Sequence, residues 1–147
     1  MLNPLEIDLD TKDLTVSDLI AQVESQSFLS EPRPVLWDDV RQSRMIESLI
    51  LKIPILPFWF DVTTDDGKMR IIDGVARIHS INQFAVTKKL RLSGLEYLSE
   101  FNRCSFDDLP SNIQRRFLES RMLCHFIRPG VPEAIRENIR RRVRNGG

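Results

Sequence analysis

Asp73, Gly74 and Arg77 stand where an apolar run of β type (Met69, Ile71, Ile72) breaks off and a helical spacing begins at Val75, Ile78, Ile81, Phe84 and Ala85. Glycine at such a corner allows a sharp turn and a close approach by a ligand. The unpaired N–H groups at the start of the following helix favour an anion. Arg77 lies four residues beyond Asp73, so both side chains can project at one corner. A carboxylate, a bare backbone and a guanidinium at a strand-to-helix junction are the parts of a phosphate-handling pocket. The same residues also fit a plain turn followed by a surface ion pair. Arg33 lies between Pro32 and Pro34, which hold it in extended backbone. It is either a solvated loop charge or a residue aimed at the pocket. His79, just past the corner, is a candidate pocket residue or a structural histidine. Arg136, Arg140 and Arg144 follow one another at i, i+4 and i+8, a spacing suited to tracking nucleic-acid phosphates. The alternative there is a solvated face partly balanced by Glu133 and Glu137.

The elements that must position these groups belong to a chain of 147 residues, 41% hydrophobic and 29% charged, which is the profile of one globular domain with a real core. Net charge is zero but uneven: residues 1–40 hold nine acids and two bases, while residues 136–144 carry five arginines. That balance argues against a general nucleic-acid coat and leaves a local basic face open. The longest apolar stretch, 53–60, is too short to span a bilayer and is interrupted by Pro54 and Pro57, so no membrane contact is expected. The N-terminus has neither a basic start nor an apolar signal segment, and the two cysteines, Cys104 and Cys124, form no CxxC pair. A cytoplasmic protein with reduced thiols is expected, and no metal site is expected from cysteine or histidine spacing.

Residues 1–14 read as an acidic, weakly anchored lead-in, and 15–147 as the domain, either whole or cut short at its C-terminus. Thr15 and Asp18 form a capping box for a first helix with Leu19, Ile20 and Val23 on its apolar stripe. A second helix starts at Asp38 or Asp39, buries Val40, Ser43, Met45, Ile46, Leu49 and Ile50, and stops at Ile53-Pro54. Residues 55–62 and 69–72 read as a β-hairpin around an Asp-Gly turn, leading into the Asp73 corner. The third helix runs from Val75 to about Thr87, and 88–92 read as a short strand or edge. A fourth helix covers 112–119, 122–127 is a strand, and Pro132 starts a last helix reaching about Val143. Trp37 and Trp59 read as core, with base stacking the alternative for Trp37, which lies beside Arg33. The expected fold is α+β, a small mixed sheet with about five helices.

The order of these phrases resembles the N-terminal domain of the GmrSD-type restriction proteins, within the ParB/sulfiredoxin-like superfamily. Three signatures carry the likeness: Arg33 followed by Trp37 just before a helix; the phrase from Ser43 to Ile55, close to the family's "LIESLLLGIPIP"; and Ile72-Asp73-Gly74-Val75-Ala76-Arg77, where the family writes Asp-Gly-Gln-Gln-Arg. The phrase Leu92 to Leu98 and Phe106 to Pro110 fit as well. The resemblance implies a ParB-like fold and a nucleoside-triphosphate site with Mg²⁺, with hydrolysis coupled to DNA restriction or phage defence. It assigns Asp73 to orient a metal or water, Gly74 to leave room for phosphate, and Arg77 and Arg33 to bind phosphate oxygens.

Two departures bear on activity. Val75 and Ala76 replace both glutamines of the motif, and Pro32 stands where a glutamine precedes the first arginine. Neither Val nor Ala can donate a hydrogen bond, so phosphate binding can persist while hydrolysis weakens or is lost. No HNH-type nuclease signature is present, so DNA cutting would need a nuclease partner or a further C-terminal domain. The alternative expectation is a degenerate, non-catalytic module that binds protein or DNA.

Overall fold

The computed structural model describes residues 7–29, 36–62 and 66–145. Among these residues, four strands form one mixed sheet: β1 (Leu9–Thr15), β2 (Phe58–Val62), β3 (Met69–Asp73) and β4 (Arg121–Ile127), in the order β1-β4-β2-β3. The β1–β4 and β2–β3 pairs are antiparallel, while β2 and β4 run parallel with Trp59 opposite His125. A register shift between Trp59 and Phe60 distorts the hairpin next to the corner. Among the described residues, five α-helices complete an α+β fold: α1 (Val16–Glu24), α2 (Asp39–Leu51), α3 (Val75–Ile81), α4 (Ser111–Leu118) and α5 (Glu133–Arg144). No helix among the described residues is long and apolar enough to cross a membrane.

Alternation along β2 decides the layering. Phe58 and Phe60 point to one face, where they join Met45, Ile46, Leu49, Ile71, Ile78, Phe84, Phe117 and Met122 in the main core. Trp59 points to the other face, with Ile72, Ile127 and Val131, and there α5 covers it with Ile135, Ile139 and Val143. Both faces of this central strand are therefore covered, which accounts for its nearly continuous apolar sequence.

Helix starts follow the capping chemistry. Thr15 and Asp18 exchange hydrogen bonds of 3.0 Å in a capping box at α1. Asp38 caps α2 by accepting from the Arg41 N–H at 2.8 Å, and Lys52 ends that helix in the left-handed region. The third helical stretch changes type: α3 ends at Ile81 and a π-helical turn, Asn82–Val86, follows.

Four sequence expectations need correction. The stretch read as a weakly anchored lead-in contains β1, which pairs along its whole length with β4. Its polar residues suit an edge strand, whose outer row of backbone groups faces water. Residues 88–92 are irregular and not a strand; Leu90 and Leu92 are buried by loop packing, with the Leu92 N–H bonded to Cys104 O at 2.9 Å. The strand expected from Ile55 starts at Phe58, because 53–57 carry two prolines and cross over as a loop. Val40, expected inside α2, is 38% exposed.

Candidate functional site

The Asp73–Gly74 corner forms as the sequence implies: β3 ends at Asp73, and Gly74 is the N-terminal cap of α3 with φ +121°. That conformation suits glycine and strains any L side chain. The space beside Gly74, expected to leave room for phosphate, is instead filled by protein. A Cβ at this position would lie 2.8 Å from Phe58 Cε1, so the missing side chain admits an aromatic ring of the core.

Arg77 projects from α3 under the loop that joins α2 to β2, and its side chain is 8% exposed. Its guanidinium donates from Nη1 to Leu56 O and from Nη2 to Pro57 O at 3.4 Å. It also lies over the Phe58 ring, 4.4 Å from the centroid, and pairs with Asp73 Oδ2 at 3.5 Å. Burial lowers its pKa from the ordinary value, opposed by the charge of Asp73. Arg77 thus fastens a proline-rich loop whose carbonyls have no β partner, with Asp73 as its partly exposed counter-ion.

The same guanidinium forms part of the wall of a groove of about 630 Å³ between α2 and residues 54–57. Trp37, Arg41, Arg44, Met45 and Ser48 come from the α2 side, and Pro54 to Pro57 from the loop side. Arg41 lies over the Trp37 ring, 4.3 Å from its centroid. Arg44 donates from Nε to Gly94 O at 3.0 Å and pairs with Glu96 at 3.4 Å, so its charge is partly answered at the rim. The sequence reasoning missed Arg41 and Arg44 as site candidates. Their signal is the i, i+3 and i+4 spacing with Trp37 and Ser48, which puts these residues on one strip of α2.

His79 faces elsewhere. Two residues beyond Arg77 on a helix turns the side chain by roughly 200°. His79 accordingly lines a separate cavity of about 680 Å³ with Val23, Phe28, Ile71, Val75 and Ile78. Val75, at the place of a motif glutamine, thus lines the His79 cavity and not the arginine groove. Arg33 lies outside the described residues. Among the described residues, no group of three or more His, Cys, Asp or Glu side chains is placed to hold a metal ion.

Arg136 and Arg140 of α5 turn inward, against both the phosphate-tracking and the solvated reading of this face, although the expected balance by Glu133 and Glu137 is present at Arg140. Arg136 is 4% exposed, donates from Nε to Val131 O at 2.8 Å and from Nη2 to Arg128 O, and pairs through Nη1 with Asp61. Arg140 reaches the other oxygen of Asp61 at 3.6 Å and also pairs with Glu133 and Glu137. The helical spacing holds, but the face it defines is turned onto β2; of the three, only Arg144 is exposed. The missed signal is Asp61 itself, a carboxylate between the aromatic run Phe58-Trp59-Phe60 and Val62, which needs a buried cation.

Compared with known protein families, with curated proteins and with solved structures, the chain matches none of them.

Proposed function

We propose that the chain is a nucleotide-binding domain of the ParB-like, GmrSD-related kind, which holds a nucleoside triphosphate in the arginine groove without turning it over. The observation that carries this reading is the convergence of Arg41, Arg44 and Arg77 on one groove beside Trp37. Its volume of about 630 Å³ is in the range of small-molecule sites. In this reading Arg41 and Arg44 supply donors for phosphate oxygens, and Arg77 holds the loop that forms the opposite wall. Among the described residues, those that line the groove include no carboxylate or histidine that could activate a water. A magnesium ion would then arrive with the nucleotide, bound mainly to its phosphates and to water, with Asp73 as the carboxylate at the neighbouring corner. Such a domain belongs in a restriction or phage-defence assembly, with DNA cutting assigned to a nuclease partner or an additional domain.

A second reading is a degenerate module whose groove takes a protein partner. Leu56, 73% exposed on the groove rim, favours it.

Calorimetric titration with ATP, GTP and CTP in the presence of Mg²⁺ tests the proposal. Binding that is lost in Arg41→Ala/Arg44→Ala, with no phosphate release by the parent, is the expected result. Absence of binding to all three nucleotides overturns it and leaves the protein-docking reading.

A further inference from the structure

We infer that Trp37 is a stacking platform for the base of the nucleotide, and that Arg41 covers this platform until the ligand displaces it. The inference rests on the nucleotide-binding reading and adds the part of the ligand that is recognised: an aromatic base, beyond a bare polyphosphate.

The backbone of Trp37 is tied to the first turn of α2. Gln42 Nε2 donates to Trp37 O at 2.8 Å, and Asp38 caps the same turn through the Arg41 N–H at 2.8 Å. Trp37 is half-buried, with one part of its surface packed against the main core and another lining the groove. The guanidinium of Arg41 lies 4.3 Å from the centroid of that ring. Among the described residues no carboxylate pairs with Arg41, so the ring face is what holds it. A guanidinium at this distance over the ring occupies the place that a stacked base would take.

An exposed cation–π contact is weaker than a base–aromatic stack, so exchange of Arg41 for a base is favourable. The exchange also releases a guanidinium with its full set of donors at the position where the phosphates of the same ligand would lie. Base and phosphate recognition are thereby coupled through one side chain. The covered platform also hides apolar ring surface in the unliganded protein.

The experiment uses Trp59→Phe, which leaves Trp37 as the sole tryptophan of a chain that has two. ATP and tripolyphosphate, each with Mg²⁺, are titrated by calorimetry and by tryptophan emission. ATP is expected to quench Trp37 emission and to bind more tightly than tripolyphosphate. Trp37→Ala is expected to weaken ATP by roughly 5- to 150-fold, the range a base stack supplies, while leaving tripolyphosphate unchanged. Arg41→Ala is expected to weaken both ligands. Trp37→Phe is expected to retain most of the ATP affinity, and far-UV circular dichroism establishes that each variant is folded. Equal binding of ATP and tripolyphosphate without quenching overturns the stacking inference and leaves the phosphate reading intact. Failure of both ligands to bind overturns the two together.

Discussion

Glu47 is buried on α2, and its carboxylate accepts backbone N–H bonds from Glu96 at 3.2 Å, Tyr97 at 2.8 Å and Leu98 at 2.8 Å. A buried carboxylate is tolerated because these donors replace its hydration, and in return it fixes a loop far away in sequence. Arg44 grips the same loop from outside, through Gly94 O and Glu96. Glu47→Ala strands the three donors and is expected to cost about 2 kcal/mol or more in urea unfolding. Glu47→Gln keeps one acceptor oxygen and should fall between the two. The resembling phrase from Ser43 to Ile55 thus carries a structural anchor in Glu47 and a groove-lining residue in Arg44, neither of which the residue types alone separate. The two cysteines differ in the same local way. Burial pushes the Cys124 thiol up to about 12, whereas Cys104 is partly exposed. Native protein treated with a thiol-alkylating reagent at neutral pH should lose Cys104 first, and Cys124 should react only after denaturation, as read by mass spectrometry.

At the level of elements, the capping boxes make stability depend on acid pH. Backbone and side-chain hydrogen bonds with Thr15 hold the Asp18 carboxyl below its ordinary 3.8, and Ser105 does the same for Asp108. A folded pKa below the unfolded one stabilises the protein above the unfolded value, and that contribution disappears as pH falls through the lowered one. Asp18→Asn should therefore flatten the acid limb of stability below 3.8, and Thr15→Ala should cost about 1 kcal/mol at neutral pH. Denaturant midpoints measured across that range check both. The Thr15–Asp18 box, the hairpin and the proline-started α5 were legible because each rests on a local rule of spacing and end chemistry. β1 was not legible, because an edge strand made of Asp10, Thr11, Lys12 and Asp13 gains its order from backbone pairing to a distant partner. Leu90 and Leu92 misled in the opposite direction: their alternation comes from burial against a loop. The Asp73 corner is legible as a strand-to-helix turn, but its expected use as a phosphate pocket does not follow from the spacing, because tertiary contacts put Phe58 beside Gly74 and Arg77 on the 56–57 carbonyls.

Across the whole molecule, α5 is joined to the sheet by two unlike interactions. Its apolar residues Ile135, Ile139 and Val143 cover Trp59 and Ile72, while Arg136 and Arg140 enclose Asp61. Asp61 is 1% exposed and Arg136 4%, so both charges have left water. Arg136 is compensated by Asp61 and by the carbonyls of Val131 and Arg128, which also fixes the turn that launches the helix. A pair of this kind adds little net stability over apolar residues of equal volume, yet removing one partner is costly because the other charge stays buried alone. Asp61→Ala is therefore expected to destabilise by about 3–5 kcal/mol and to loosen α5 first, seen as faster amide exchange along Glu133–Arg144 than in β2 and β4. The double variant Asp61→Leu/Arg136→Met should recover most of that loss, since it removes both charges and keeps the volume. If the single variant were near neutral, the buried pair would not be what seats the helix, and the apolar contacts alone would carry it. If the double variant were as unstable as the single one, the arginine's bonds to Val131 and Arg128 would outweigh its pairing with Asp61. The expected pattern, a large single loss and a rescued double, makes the arginines of α5 a clasp that fixes where the helix sits on the sheet.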